Sequence, residues 1–313
     1  MKLLPYYASA HIYCLDLDPS PYHSSWDDLI QQLVRPLIED NTVLGFFFVR
    51  YRDPRAHLRL RVRLSPATPS WLVRNHLRKR LATMGLRERP RNDQGSAQTT
   101  SQRWFEWAPY QREVERYGGL DCLAHIEAIF ETTARIALDV MRFRQGKSEA
   151  MVLAEAGQLA CMLVSVFATD TRHMADTFRR GTYGAPGNPS GTSPIIDPLL
   201  RERLRDAIQI EQLHALAIPP TSTRFDSPPT SRHAVYAEHY ARLESIATQL
   251  RSTRSTDEHL AETLAQRLPS LVHMLWNRLG LTRWHEHILA SALISQCYPH
   301  DQSVSIELNA SSI

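Results

Sequence analysis

The feature that most constrains this chain is a change of hydrophobic period near Gly118-Gly119. Before it, segments of period two alternate with segments of period 3.6; after it, only the helical period remains. Residues 6–15 read as a strand, 26–38 as an amphipathic helix and 45–51 as a second strand. Asp53-Pro54 marks a turn, 57–64 alternates strictly, 70–84 returns to helical period with Ser70 as its N-cap, and 103–108 is a further strand. The order strand, helix, strand, strand, helix, strand predicts a ferredoxin-like split βαβ unit, a four-stranded antiparallel sheet with two helices on one face. Helices are then expected at 121–144, 149–168, 198–216, 234–250, 258–279 and 282–295. The reading is an α+β chain: a sheet domain over 1–119 and an all-α half over 120–313, together making one functional domain.

A length of 313 residues with 43% hydrophobic and 22% charged side chains suits a globular core and excludes collagen and disorder. With 36 basic against 33 acidic side chains, the net charge of +3 is too small for bulk wrapping of nucleic acid or docking on an anionic membrane, so any cationic site must be local. No stretch approaches the roughly 20 apolar residues of a membrane span, and the most apolar run, 43–49, reads as a strand. Cys14, Cys122, Cys161 and Cys297 follow no zinc or CxxC spacing, which suggests reduced thiols and a cytoplasmic setting. Two breaks, 181–194 with four Gly and three Pro and 218–229 with four Pro, read as exposed loops, either ordinary connections or lids.

In His57-Leu-Arg-Leu-Arg-Val-Arg-Leu64, period two puts Leu58, Leu60, Val62 and Leu64 on one face and His57, Arg59, Arg61 and Arg63 on the other. That row is either the solvated face of a half-buried strand or a site for an anion, since like charges at alternate positions need anionic partners. In Tyr110-Gln-Arg-Glu-Val-Glu-Arg-Tyr-Gly-Gly119, Glu113 and Glu115 lie between Arg112 and Arg116. The segment is a salt-bridged turn or part of a cleft where the two halves join. In Ser270-Leu-Val-His-Met-Leu-Trp-Asn-Arg-Leu-Gly280, Ser270, His273 and Asn277 share one flank of an apolar helix, which makes His273 an interior residue or an acid-base group.

His285 and His287 in Trp284-His-Glu-His287 are two apart and would not share a helical face, so no metal is expected. Phosphate-binding glycine loops, the GxSxG elbow and HExxH are missing from the sequence, which favours cofactor-free chemistry by side chains.

Taken in order, Phe47-Phe-Val-Arg-Tyr-Arg-Asp-Pro-Arg-Ala-His-Leu-Arg-Leu-Arg61, the Tyr110 to Gly119 segment and His273-Met-Leu-Trp-Asn-Arg278 resemble the C-terminal elimination domain of lantibiotic dehydratases. The resemblance covers nearly the whole chain. In that family one domain transfers glutamate from glutamyl-tRNA to Ser or Thr of a precursor peptide, and the elimination domain expels it, leaving dehydroalanine or dehydrobutyrine. The resemblance implies that this chain is the elimination half of a split dehydratase, using a precursor peptide and a separate glutamylating, tRNA-dependent partner. It places the elimination residues at Arg59, Arg61, Glu113, Arg116 and His273, with His273 as first choice of base and Glu113 as the alternative or as an orienting group. Arg50, His57, Tyr117 and Asn277, within the same motifs, are expected to contact substrate. Direct nucleic-acid binding and membrane association are not expected, and a homodimer is compatible.

The same resemblance carries an alternative, the thiopeptide pyridine synthases, which join two dehydroalanines in a formal aza-[4+2] cycloaddition with loss of leader. A further alternative is a non-catalytic module in which the arginine strand holds an acidic peptide or RNA. RNA would call for aromatics on the arginine face, and the outward residues of 57–64 include none.

Overall fold

The computed structural model describes residues 6–17, 24–39, 43–52, 55–65, 68–89, 102–144, 146–168, 170–183, 232–252 and 258–297. The chain divides into two compact units, Met1–Gln145 with Asn277–Gly280, and Gly146–Trp276 with Leu281–Ile313.

In the first unit the order is β1 (Tyr7–Cys14), α1 (Ser24–Glu39), β2 (Gly45–Tyr51), β3 (His57–Arg63), α2 (Ser70–Thr83), β4 (Arg87–Glu88), β5 (Arg103–Trp107) and α3 (Gly119–Arg144). The sheet runs β2-β3-β1-β5-β4. Its inner pairs are antiparallel, whereas β4 lies parallel to β5. The expected four-stranded antiparallel sheet is therefore a five-stranded mixed one. The extra strand escapes a pattern search because it is two exposed residues long, too short to show a period of two. It follows directly on the turn at Gly85, whose φ of 78° suits glycine. A second correction concerns α2: Ser70 is its first residue and Pro69 the cap, with no side-chain cap bond. Pro69 sets the extended entry with φ −60° and ψ 133°, and proline lacks the hydroxyl that would bond the first turn.

Alternation along the strands sorts the residues as period two requires. Ala8, Ala10, Ile12 and Cys14 of β1, Phe46 and Phe48 of β2, and Leu58, Leu60 and Val62 of β3 are buried on one face. The opposite face carries the functional groups treated below. Gly118 and Gly119 both take left-handed backbone, with φ of 82° and 92°, which turns the chain into α3 where a side chain would be strained. The helix expected from residue 121 thus begins at Gly119 and is counted with the sheet unit.

A buried polar hub ties this unit together. Asp27 of α1 accepts from Arg50 Nη2 (2.7 Å) and lies 3.5 Å from Arg144 Nη1. Arg144 also donates to the Leu279 carbonyl (2.7 Å), and Arg50 Nε donates to the Arg278 carbonyl (3.0 Å). Arg278 is fully buried; it donates to the Phe48 carbonyl and to Thr133 Oγ1, each at 3.0 Å. Burial lowers its guanidinium pKa to about 9.

The second unit is helical: α4 (Glu149–Phe167), α5 (Thr171–Tyr183), α6 (Arg232–Ser252), α7 (Glu258–Arg278) and α8 (Arg283–Cys297). The last turn of α7, from Asn277, is counted with the first unit. Ser148 caps α4, its side chain accepting from the Met151 N–H. Helix α4 corrects one expectation, for it is long and apolar enough by composition to cross a membrane. Most of it is buried, as an all-round apolar helix in a core should be, and it carries buried Glu155 paired with Lys147 at 3.1 Å. Helix α5 was not expected. Its first turn is closed by Asp170, whose carboxylate accepts from the His173 N–H (2.8 Å), and Gly181, read as the start of a break, lies in its last turn. The expected helix 198–216, the remainder of the break 181–194 after residue 183, and the break 218–229 lie outside the described residues. All four cysteines are free thiols.

Candidate functional site

The registers of β1 and β2 against β3 place four strands' worth of side chains on the arginine face. Tyr7, Ser9, His11 and Tyr13 of β1 stand opposite Arg63, Arg61, Arg59 and His57. Phe47, Val49 and Tyr51 of β2 oppose Arg61, Arg59 and His57 from the other side. Trp104 and Glu106 of β5 oppose Tyr13 and His11. The aromatics that 57–64 itself lacks are thus supplied by the neighbouring strands. Sequence reasoning missed them because pairing partners are set by register, which a strand's own pattern does not disclose.

The arginines of the row are differently engaged. Arg63 is neutralised by Glu131 of α3 through two bonds, Nε to Oε1 at 2.7 Å and Nη2 to Oε2 at 2.9 Å; the Tyr7 hydroxyl donates to the same carboxylate at 2.8 Å. Arg59 lies 3.5 Å over the Tyr51 ring, and its Nε donates to His57 Nε2 at 3.1 Å. His57 in turn donates from Nδ1 to the Arg55 carbonyl (2.8 Å), so it is the neutral Nδ1–H tautomer. Burial, the larger influence, lowers its pKa in keeping with that assignment. Arg61 packs against the rings of Phe47 and Tyr110, 5.4 and 4.8 Å from their centroids, and its Nε and Nη1 are buried with no hydrogen-bond partner among the described residues.

The Tyr110 segment lies beside Arg61. Arg116 and Glu113 form an ion pair of 2.6 Å that is half exposed. Arg112 bonds Glu127 (2.7 Å), a carboxylate shielded on α3 whose pKa burial raises. Tyr117 is buried edge-on to Phe130. Four of the five expected elimination residues, Arg59, Arg61, Glu113 and Arg116, are therefore in the first unit, and Glu113 and Arg59 both contribute to the electrostatic environment of Arg61.

Arg50 and Asn277 also meet, but in a different role. The Arg50 N–H donates to Asn277 Oδ1 and Asn277 Nδ2 donates to the Arg50 carbonyl, both at 2.8 Å. In register Arg50 opposes Leu58, so it belongs to the apolar face and its guanidinium is held by Asp27. These two residues fasten the end of α7 to β2.

His273 is in the second unit, on α7. Its Nδ1 stands 3.0 and 2.9 Å from the two oxygens of Glu286 on α8, which is 5% exposed. Arg283 Nη1 reaches the same carboxylate at 3.2 Å. With Nδ1–H donated to Glu286, Nε2 carries the lone pair, the arrangement of an imidazole base oriented by a carboxylate. The sequence does not mark Glu286, because an acid in a helix's first turn is ordinary. His285 is instead placed between Thr282 (Nδ1, 2.7 Å from Oγ1) and Glu149 (Nε2, 3.2 Å).

Residues 8–298 match the family described as lantibiotic biosynthesis dehydratase, C-terminal, so the chain belongs to that family. Among individual proteins, it is 29% identical over 131 residues to the subtilin biosynthesis protein SpaB of Bacillus subtilis, 39% of this chain and 11% of that protein. It is 33% identical over 92 residues to the nisin biosynthesis protein NisB of Lactococcus lactis subsp. lactis, 29% of this chain and 8% of that protein. The chain thus matches about a tenth of the length of these relatives. Its fold is similar to the tRNA-dependent lantibiotic dehydratase MibB from Microbispora sp. 107891, with a TM-score of 0.59 and 17% identity, covering 94% of this chain and 28% of that one. It is also similar to TsrL (0.59, 17%, covering 98% and 99%) and to TbtD, a pyridine synthase from thiomuracin biosynthesis (0.56, 16%, covering 94% and 98%).

Proposed function

We propose that this protein eliminates glutamate from glutamylated Ser or Thr residues of a ribosomally made precursor peptide. The observation that carries the reading is Arg61, a shielded guanidinium with two donors unmatched among the described residues, beside Arg59 and the Arg116 to Glu113 pair. A buried, incompletely matched cation is costly unless an anion joins it.

In the reaction, an imidazole takes the Cα proton, the electron pair of the Cα–H bond forms the Cα=Cβ double bond, and the Cβ–O bond breaks to release glutamate as a carboxylate. His273, with Nδ1–H held by Glu286 and Nε2 available, is the proposed base. Negative charge develops on the peptide carbonyl and on the departing carboxylate, and fixed guanidinium donors are suited to both. Arg59 and Arg116 are assigned to these anions and Arg61 to the glutamyl group as it leaves, Glu113 to orienting Arg116, and His57 to orienting Arg59. Arg50, Tyr117 and Asn277 are assigned supporting roles by their packing. Family membership supports action on a precursor peptide, with glutamylation by a tRNA-dependent partner protein.

The test is mass spectrometry of a glutamyl-Ser peptide incubated with the protein, with His273→Ala and Glu113→Gln as controls. Loss of glutamate to give dehydroalanine in the wild type, abolished in His273→Ala and slowed but not abolished in Glu113→Gln, is the expected result. An unchanged ester would turn the assignment to the pyridine synthase activity named for TbtD, tried on a peptide with two dehydroalanines.

A further inference from the structure

Two buried polar groups on the arginine face lack partners, and they are neighbours. Ser9 is 3% exposed and its Oγ has no hydrogen-bond partner among the described residues; the same holds for Arg61 Nε and Nη1. Ser9 stands directly opposite Arg61 in the β1 to β3 ladder, so their side chains leave the sheet on the same face at about 5 Å spacing. A hydroxyl buried without a partner costs free energy, and an alanine in its place would pack as well against the same strands. The rings of Phe47 and Tyr110 give Arg61 only the weaker attraction of π faces.

Of the neighbours, Glu113 offsets part of the Arg61 charge from a distance while bonded to Arg116, and none of the others supplies an anion to the pair. Arg63, next along the strand, has Glu131. Arg59 adds a second positive charge, with its Nε committed to His57. His11, opposite Arg59, is flanked by Glu106, whose Oε1 is 3.6 Å from Nδ1 and takes the Tyr13 hydroxyl at 3.1 Å. Among the described residues no carboxylate hydrogen-bonds Ser9 Oγ or Arg61 Nε and Nη1. A guanidinium fork beside a hydroxyl matches the two oxygens of a carboxylate.

We infer that Ser9 and Arg61 form a carboxylate subsite that holds the side-chain carboxylate of the acyl group being expelled. This rests on the elimination reading. An acyl group taken from an aminoacyl-tRNA is esterified through its α-carboxyl, so the group on the peptide keeps its side chain, and a glutamyl group keeps a free carboxylate there. The subsite makes the enzyme selective for glutamyl over the isosteric but neutral glutaminyl ester, because the neutral amide leaves the guanidinium unmatched. Ser9 and Arg61 are thereby specificity-determining residues.

The experiment compares elimination from glutamyl-Ser and glutaminyl-Ser forms of one peptide by wild type, Ser9→Ala and Ser9→Thr, with thermal melts to confirm folding. The wild type should prefer the glutamyl ester by about 100-fold in kcat/KM. Ser9→Ala should lose about 10-fold of that preference, mainly through KM for the glutamyl ester, and Ser9→Thr, which keeps the hydroxyl, should restore it. Equal rates on both esters, or an unchanged preference in Ser9→Ala, would overturn the subsite while leaving elimination standing. If the wild type eliminates neither ester, the elimination reading fails by itself, and titration calorimetry with glutarate judges the subsite. Binding weakened by Ser9→Ala and by Arg61→Lys supports it; no binding to the wild type overturns it.

Discussion

Replacing Gly45 with Ala is a sharp test of the packing that sets the arginine row. Gly45 opposes Arg63 in the β2 to β3 ladder, and a Cβ there would sit well inside contact distance of the Glu131 carboxyl carbon and both its oxygens. The carboxylate cannot simply swing aside, because it accepts from Arg63 Nε at 2.7 Å, Arg63 Nη2 at 2.9 Å and the Tyr7 hydroxyl at 2.8 Å. Displacing it breaks three bonds to a charged group, each worth about 1.5 kcal/mol or more net. Water reaches Arg63, whose side chain is 32% exposed, and recovers part of the loss. The expected destabilisation is about 3 kcal/mol, a large share of a typical folding free energy. Urea unfolding of Gly45→Ala, Glu131→Ala and the double variant reads it directly. Since both single changes destroy the same clamp, the double variant should cost little more than either, with a coupling of about 3 kcal/mol. A Gly45→Ala protein within about 0.5 kcal/mol of wild type, or strictly additive changes, would refute the reasoning.

Asp27→Asn should cost about 3 kcal/mol in the same assay, because Arg50 and Arg144 would be left buried around a neutral amide. His11 gives a pH signature: burial, then Arg59, His57 and Arg61, lowers its pKa from 6.5 to about 4, so on acidification the unfolded chain takes the proton first. Stability is therefore lost between pH 6.5 and about 4, by roughly 2 kcal/mol once solvent access to the ring is discounted. His11→Asn should flatten that part of the urea-midpoint profile, and an identical profile would show that the ring is not held neutral. Glu286→Gln should lower kcat about 100-fold in the glutamyl-peptide assay, with KM little changed, if the carboxylate orients His273. Undiminished turnover would remove Glu286 from the reaction.

Elements with a long clean period were legible in the sequence, and those defined by pairing were not. The alternation of 57–64 placed Arg59, Arg61 and Arg63 on one face, as found. It could not distinguish them, because what separates Arg63 from Arg61 is a glutamate 68 residues away on α3. The two-residue β4 and the polar helix α5 carried too few apolar positions to register. Asn277 looked like a companion of His273 on a helical flank, yet the chain uses its amide to match the backbone of Arg50. A helical wheel shows which face a residue occupies and says nothing of the unit that face meets. Ser9 and Glu286 had no signal at all, since one small hydroxyl and one acid are ordinary in a strand and in a helix's first turn.

The aromatic rings on the arginine face bear on the nucleic-acid alternative. A sheet that binds RNA offers ring faces on which bases stack. Here the rings stack on one another across the strands: Trp104 on Tyr13 at 4.9 Å and 10°, Tyr13 on His57 at 4.9 Å and 25°, and Tyr51 against His57 at 5.3 Å and 26°. Arg59 then covers Tyr51. Trp104 is only 7% exposed. A base would have to displace these contacts before gaining its own stacking of about 1–3 kcal/mol, and the net charge of +3 adds little long-range attraction. The row of rings is better understood as the wall that holds His57 neutral and Arg59 in place. A single-stranded oligoribonucleotide is accordingly expected to leave tryptophan fluorescence unchanged at physiological salt, and a saturable quench lost in Trp104→Leu would reverse the argument.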